Sequence, residues 1–233
     1  MSEVIVITSG KGGVGKTTTA INLSACLAEK GKRVLTIDMD PQGNTTSGLG
    51  IDKSTVEHTS YQLLTNETTI WEAMTPSIVP GLSVIASERS LAGAEIELIG
   101  VEDREFILKK EVDKVRDNYD FVIIDCPPSL NTLTVNAMTT ADTVLVPIQC
   151  EYYALEGLSE LIYTIELVKE RLNNKLEIEG VVFTMYDART CLSLQVVENV
   201  KQNLHQNIYK TIIPRNVRLA EAPSHGPVSY THL

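Results

Sequence analysis

The stretch Gly10-Lys11-Gly12-Gly13-Val14-Gly15-Lys16-Thr17 constrains this chain more than any other. It matches G-x-x-x-x-G-K-[ST], and it stands in the context that pattern needs. Before it runs the apolar segment Val4 to Thr8; after it comes a helical pattern, Thr17 to Lys30, with Ala20, Leu23 and Leu27 on one face and Gly31 as the stop. Glycines let successive backbone N–H groups converge on phosphate oxygens, and a helix N-terminus adds partial positive charge. On this reading Gly10, Lys11, Gly12, Gly13, Val14, Gly15, Lys16, Thr17 and the following Thr18 bind a nucleotide. Lys16 reaches the β- and γ-phosphates, and the Thr17 hydroxyl ligates Mg²⁺. The competing reading is a chance glycine-rich turn. Average residue frequencies produce the pattern in roughly 1% of chains of this length, and the strand–loop–helix context lowers that further.

The rest of the chain repeats this alternation. Short β-type runs at 34–38, 82–86, 121–125, 143–148, 179–184 and 209–213 are separated by helical patterns. The clearest helix is Glu156 to Leu172, with Leu158, Ile162, Ile165 and Leu172 in one stripe. A second is expected over Asp103 to Arg116, and a last one is marked by Leu194, Val197, Val200 and Leu204. Alternation of this kind predicts an α/β fold: a mostly parallel twisted sheet with helices on both faces, as one domain over residues 1–228. Residues 44–81, rich in Thr, Ser and Gly, carry little periodicity.

Two further segments bear carboxylates. Phe121-Val-Ile-Ile-Asp125 is an apolar strand ending in Asp, and the carboxyl end of a parallel strand faces the crevice where ligands bind. Asp125 there can order the shell of Mg²⁺. Asp38 and Asp40, in Asp38-Met-Asp40-Pro-Gln-Gly-Asn, end another strand; either can position an attacking water, or the pair can merely form an Asx-turn.

Composition sets the outer limits. With 20 Lys+Arg against 30 Asp+Glu the net charge is −10, which argues against a protein that coats nucleic acid through a basic surface. The charge is uneven, however: residues 181–233 hold five basic and three acidic residues, +2, leaving −12 for residues 1–180. The four cysteines, Cys26, Cys126, Cys150 and Cys191, form no C-x-x-C pair, so a zinc ribbon is not expected and a reducing compartment is. The N-terminus has no leader pattern, and no apolar run approaches the roughly 18 residues that span a bilayer. A cytoplasmic location follows.

The additional lysine of the loop, Lys11 in K-G-G-x-G-K-T, resembles the deviant Walker A motif of the ParA/MinD ATPase superfamily. Asp40-Pro-Gln-Gly-Asn-Thr, Asp125-Cys-Pro-Pro-Ser, Gln149-Cys-Glu-Tyr-Tyr-Ala-Leu-Glu-Gly, Asp187-Ala-Arg-Thr and Ile213-Pro-Arg-Asn-Val-Arg-Leu-Ala-Glu-Ala-Pro-Ser-His-Gly are similar to the chromosomal ParA (Soj) partition ATPases, over about residues 3 to 226. The resemblance implies an ATP- and Mg²⁺-dependent ATPase for DNA segregation. It implies a nucleotide-sandwich homodimer that binds double-stranded DNA without sequence preference, associates with the nucleoid, and hydrolyses ATP when stimulated by a ParB-like partner. It assigns Lys11 to the partner subunit's phosphates, Gly12 to a tight contact between subunits and Asp40 to hydrolysis and, directly or through water, to the Mg²⁺ shell. Pro214 and Asn216 fall beside the adenine, and Arg189 and Arg218 on the DNA face. No membrane partner is implied.

Relatives continue beyond Ser224-His225-Gly226, whereas here Pro-Val-Ser-Tyr-Thr-His-Leu closes the sequence. A truncated C-terminus with a non-native tail over 229–233 is therefore expected. Two other readings remain in view: a MinD-like division-site ATPase, which needs a C-terminal amphipathic helix, and a metabolic P-loop enzyme that transfers a phosphoryl group, which needs a substrate pocket.

Overall fold

In the computed structural model, residues 2–151, 154–203 and 207–219 are described. Eight strands form one sheet: β1 (Glu3–Ile7), β2 (Val34–Asp38), β3 (Met74–Pro76), β4 (Leu82–Ile85), β5 (Phe121–Asp125), β6 (Thr143–Gln149), β7 (Glu177–Tyr186) and β8 (Ile208–Pro214). Their order is β3-β4-β2-β5-β1-β6-β7-β8, with only β3 antiparallel. The helices are α1 (Lys16–Glu29), α2 (Asn44–Gly48), α3 (Ser60–Leu64), α4 (Ile70–Ala73), α5 (Leu91–Glu97), α6 (Ile107–Val112), α7 (Thr132–Thr140), α8 (Ala154–Arg171) and α9 (Cys191–Asn203). The expected α/β architecture with a mostly parallel sheet is present.

Strands with both faces covered are apolar throughout, and alternation decides only which layer each side chain joins. Val4, Val6, Val122, Ile124, Val144 and Val146 face the layer built by α3 to α9. Ile5, Ile7, Ile123, Leu145 and Val182 face the other side, where Ala20, Ile21, Ala25 and Ala28 of α1 pack. Among the described residues that second layer is thin. Beside α1 it leaves a groove of about 1030 Å³ over Ile5, Phe121, Leu145 and Val182.

One expectation is corrected. The helix expected over Asp103 to Arg116 is broken into a 3₁₀ turn at Arg104–Phe106, the short α6, and a second 3₁₀ turn at Arg116–Asn118. Asp103 at φ 54 starts this segment, and a left-handed residue cannot belong to a right-handed helix. Residues 44–81, for which the sequence marks no elements, hold α2, α3, α4 and the edge strand β3, with α3 and α4 each started by a threonine capping box, Thr59 with Gln62 and Thr69 with Glu72. The strands expected at 34–38 and 121–125 are exact, and the other expected strands, α1 and α8 differ by one or two residues at an end. Leu204 and the tail 229–233 lie outside the described residues. No helix of the described residues is long and apolar enough to cross a membrane.

Candidate nucleotide and metal site

The site forms where β1, β2 and β5 end side by side. Parallel pairing sets Ile7 opposite Asp125 and Asp38 opposite Asp125, so the chain turns out of three neighbouring strands at one level. The Gly10–Thr17 loop rises from β1 and closes onto α1. Gly15 caps the helix at φ 90, a conformation that glycine adopts without strain, and its carbonyl accepts the Thr19 N–H at 2.9 Å. Among the described residues, the backbone N–H groups of Gly13, Gly15, Lys16, Thr17 and Thr18 have no acceptor. This is a row of donors at a helix N-terminus, suited to an anion with several oxygens.

The two lysines of the loop point to different places. Lys16 is 6% exposed, and its ammonium donates to the Lys11 carbonyl at 3.3 Å. Burial lowers its pKa, while the nearby Asp125 and Asp40 charges oppose that shift. Lys11 is at the rim, with a side chain 45% exposed, and pairs with Glu151 at 2.5 Å.

Asp125 is fully buried. Its Oδ2 accepts the hydroxyls of Thr17 at 2.9 Å and Thr45 at 2.6 Å, and its Oδ1 is buried with no partner among the described residues. Burial first, and the facing Asp38 second, raise its pKa; the two threonine hydroxyls counter this. A buried carboxylate with an unused oxygen beside a threonine hydroxyl fits a hard divalent cation. Among the described residues no group of three or more His, Cys, Asp or Glu converges on a metal position. Such an ion would therefore hold much of its shell from water and phosphate, as Mg²⁺ does.

The choice between Asp38 and Asp40 is geometric. Asp38 accepts the Thr46 N–H at 2.8 Å, the Thr46 hydroxyl at 2.7 Å and the Asp40 N–H at 3.1 Å, so both its oxygens serve to hold the loop. Asp40 accepts only the Gln42 N–H at 2.9 Å, through Oδ1. Its Oδ2 has no partner among the described residues, which favours Asp40 as the carboxylate able to hold a water.

Pro214 and Asn216 line the same groove as Gly15 and Thr18. Arg189 and Arg218 follow adjacent strand ends, since Tyr186 of β7 is paired with Pro214 of β8. Arg189 is not free: Asp187 accepts its Nε at 2.9 Å and a terminal nitrogen at 2.7 Å, an arrangement that holds the Asp187 carboxyl down at about 2. Arg218 is exposed, and its N–H donates to Asn216 Oδ1 at 2.9 Å.

Two contacts escaped sequence reasoning. Thr45 stood in a quoted motif without a role, yet its hydroxyl shares Asp125. Gly10 is demanded by α8: a Cβ there would lie 2.6 Å from the Gly157 carbonyl oxygen, a backbone atom. A Cβ on Gly12 would meet only Pro128 Cβ, at 3.7 Å, which is ordinary contact. Gly10→Ala is therefore expected to destabilise the chain by about 1–3 kcal/mol, and Gly12→Ala by less than about 0.5 kcal/mol. Denaturant unfolding of both variants checks this, and equal effects would refute it.

The comparisons with known proteins agree with this geometry. An AAA domain family model matches residues 2–178. The chain is 56% identical over 226 residues to the sporulation initiation inhibitor protein Soj of Bacillus subtilis, covering 97% of this chain and 89% of that protein. It is 48% identical over 230 residues to the chromosome-partitioning ATPase Soj of Treponema pallidum, covering 98% and 90%. Among solved structures, cobyrinic acid a,c-diamide synthase of Mycobacterium smegmatis with bound ADP and magnesium superposes with a TM-score of 0.88 at 35% identity, covering 96% of this chain and 93% of that one. A donor-lined loop, a buried aspartate beside it and identities of this size over nearly the whole length lead to one assignment: the chain belongs to the Soj/ParA family of chromosome-partitioning ATPases.

Proposed function

We propose that this ATPase works as an ATP-controlled DNA-binding dimer, and that the residues described above carry the nucleotide, the metal and the DNA. The single observation behind this reading is the divergence of the two loop lysines, Lys16 buried inside the cradle and Lys11 exposed at its rim. One lysine is enough to serve the chain's own nucleotide. A second at the rim suits phosphates presented from outside, by a second copy.

Mg²⁺·ATP, when bound, supplies the phosphoanhydride bond and a cation that offsets its charge. The N–H groups of Gly13 and of residues 15–18 donate to phosphate oxygens. Lys16 adds a buried positive charge, worth more there than in water. Thr17 and Asp125 would hold the cation, Asp125 directly or through water. Pro214 and Asn216 flank the base. Asp40 orients a water and takes its proton at the unused Oδ2.

The dimer follows from charge. Two triphosphates facing each other repel, and Lys11 of each copy supplies compensation only while nucleotide is present. To do so it exchanges Glu151 for phosphate, and the exposed ion pair costs little to open. Gly12 supports the same reading, because nothing within the described chain requires its lack of a side chain. DNA binding would then use Arg189 and Arg218 from two copies at once. Pairing doubles a patch too weak to act alone, which reconciles it with a net charge of −10. A ParB-like protein is the partner expected to accelerate hydrolysis.

The deciding experiment is retardation of nonspecific double-stranded DNA, with and without ATP. Retardation is expected only with ATP, to fall steeply with salt, and to be lost in Arg189→Glu. Binding of equal strength without ATP, or unchanged by the charge reversal, would count against the reading.

A further inference from the structure

Thr184 lies at the end of β7, 170 residues from the phosphate loop, yet touches it directly. Its hydroxyl donates to the Val14 carbonyl at 2.7 Å. Thr184 is 3% exposed and Val14 2%, so water does not compete for this bond. The rest of the side chain lies against Gly15, with Cγ2 and Cβ 3.7 and 3.8 Å from where a glycine Cβ would be. Among the described residues the Val14 carbonyl has no other donor, because the first helical bond of α1 goes to Gly15 instead.

The residue type is informative. Its neighbours Val181, Val182 and Phe183 are buried and apolar, and a valine would fill the same space as the threonine. What threonine adds is a single hydroxyl with a single acceptor. That acceptor belongs to the peptide plane shared by Val14 and Gly15. In a planar trans peptide the C=O and N–H point in opposite directions. A donor that holds the Val14 oxygen on the β7 side therefore turns the Gly15 N–H the other way. Gly15 N–H is one of the unpaired donors of the loop, and glycine at φ 90 gives this plane little steric resistance to rotation. Without the hydroxyl the buried Val14 carbonyl loses its donor and the plane is no longer held, so the Gly15 N–H is no longer fixed toward the phosphate side.

We propose that Thr184 is a positioning residue for nucleotide binding: its hydroxyl locks the Val14–Gly15 peptide so that the loop presents a nitrogen donor, and not a carbonyl, to a phosphate. The proposal rests on the assignment of residues 10–17 as the phosphate loop. Thr184 touches no reacting atom and acts through the loop backbone. The strand end that holds it is itself strongly shaped. Met185, the next residue, has φ 50, unusual for a side chain of its size, and the carbonyl of Tyr186 accepts the Arg215 N–H at 3.0 Å. The loop is thus fastened to a strand end that is itself bonded to the residue following β8.

The test pairs variants that differ by the hydroxyl alone: Thr against Thr184→Val, and Thr184→Ser against Thr184→Ala. ADP with Mg²⁺ is titrated by calorimetry, and the unfolding midpoint without nucleotide is measured in parallel. Thr184→Val and Thr184→Ala are expected to bind ADP about ten-fold more weakly than their hydroxyl-bearing counterparts, with Thr184→Ser within about three-fold of the unaltered chain. If Thr184→Val does not fold, the Ser/Ala pair decides alone. Equal affinity within each pair overturns the proposal, even where unfolding midpoints differ, since a purely structural hydroxyl would move only those. Lys16→Ala serves as the control on the underlying reading: undiminished ADP binding there would remove the phosphate loop itself, whatever Thr184 does.

Discussion

Lys16→Ala is expected to weaken ATP binding by at least about 100-fold, the scale set by losing charge-assisted hydrogen bonds in a buried site. The side chain is 6% exposed and shares its surroundings with Asp125 and Asp40. Its removal takes away the one buried cation among the described residues. Lys16→Gln, which keeps most of the volume and a donor, is expected to lose nearly as much, because charge is what the phosphates need. Calorimetric titration of both variants with ATP and Mg²⁺ measures this. Affinity within about three-fold of the unaltered chain in Lys16→Gln would show that the ammonium is not what the loop offers a phosphate.

Asp40→Ala is expected to cut the hydrolysis rate by about 10²–10⁴, the usual contribution of a positioned general base, while ATP binding changes little. The residue has one oxygen engaged with Gln42 N–H and one unused, so its loss removes chemistry more than structure. The neighbouring Asp38 provides the contrast. Its three accepted bonds anchor Thr46 and Asp40, and Asp38→Ala is expected to lower stability by about 3 kcal/mol or more. Phosphate release assays and denaturant unfolding, run on both variants, separate the two roles. Normal turnover in Asp40→Ala would return hydrolysis to another residue.

Much of the site was legible because its information is local. The loop from Gly10 to Thr17 is contiguous, and the strand and helix that flank it are both strongly patterned. Asp125 and Asp40 were legible as strand-terminal carboxylates, since a parallel sheet puts such ends on one edge. The physical difference between Asp40 and Asp38 was not, although the resemblance named Asp40. It depends on Thr46, six residues beyond Asp40, folding back onto Asp38, and on the Thr45 hydroxyl reaching Asp125. The helix α7 went unmarked for a related reason. Seven of its nine residues, among them Thr134, Asn136, Thr139 and Thr140, are buried, so it has no polar face to set up a period. Its buried hydroxyls return to backbone carbonyls such as those of Ser129 and Asn136, which composition does not announce. The long helix expected over 103–116 failed the opposite way: its apolar spacing was present, but Asp103 and Phe106 take backbone angles that interrupt it.

The amino-acid order by itself determined the α/β class, the phosphate loop and the family, because hydrophobic period and contiguous motifs act over a few residues. Only the tertiary structure decided which aspartate is spare and which is structural, why Gly10 tolerates no side chain and Gly12 does, and how Thr184 comes to hold Val14. Those are contacts between segments as many as 170 residues apart. Each depends on the register of the sheet and on the distance at which a helix backbone passes a loop, and neither is written in any single stretch of sequence.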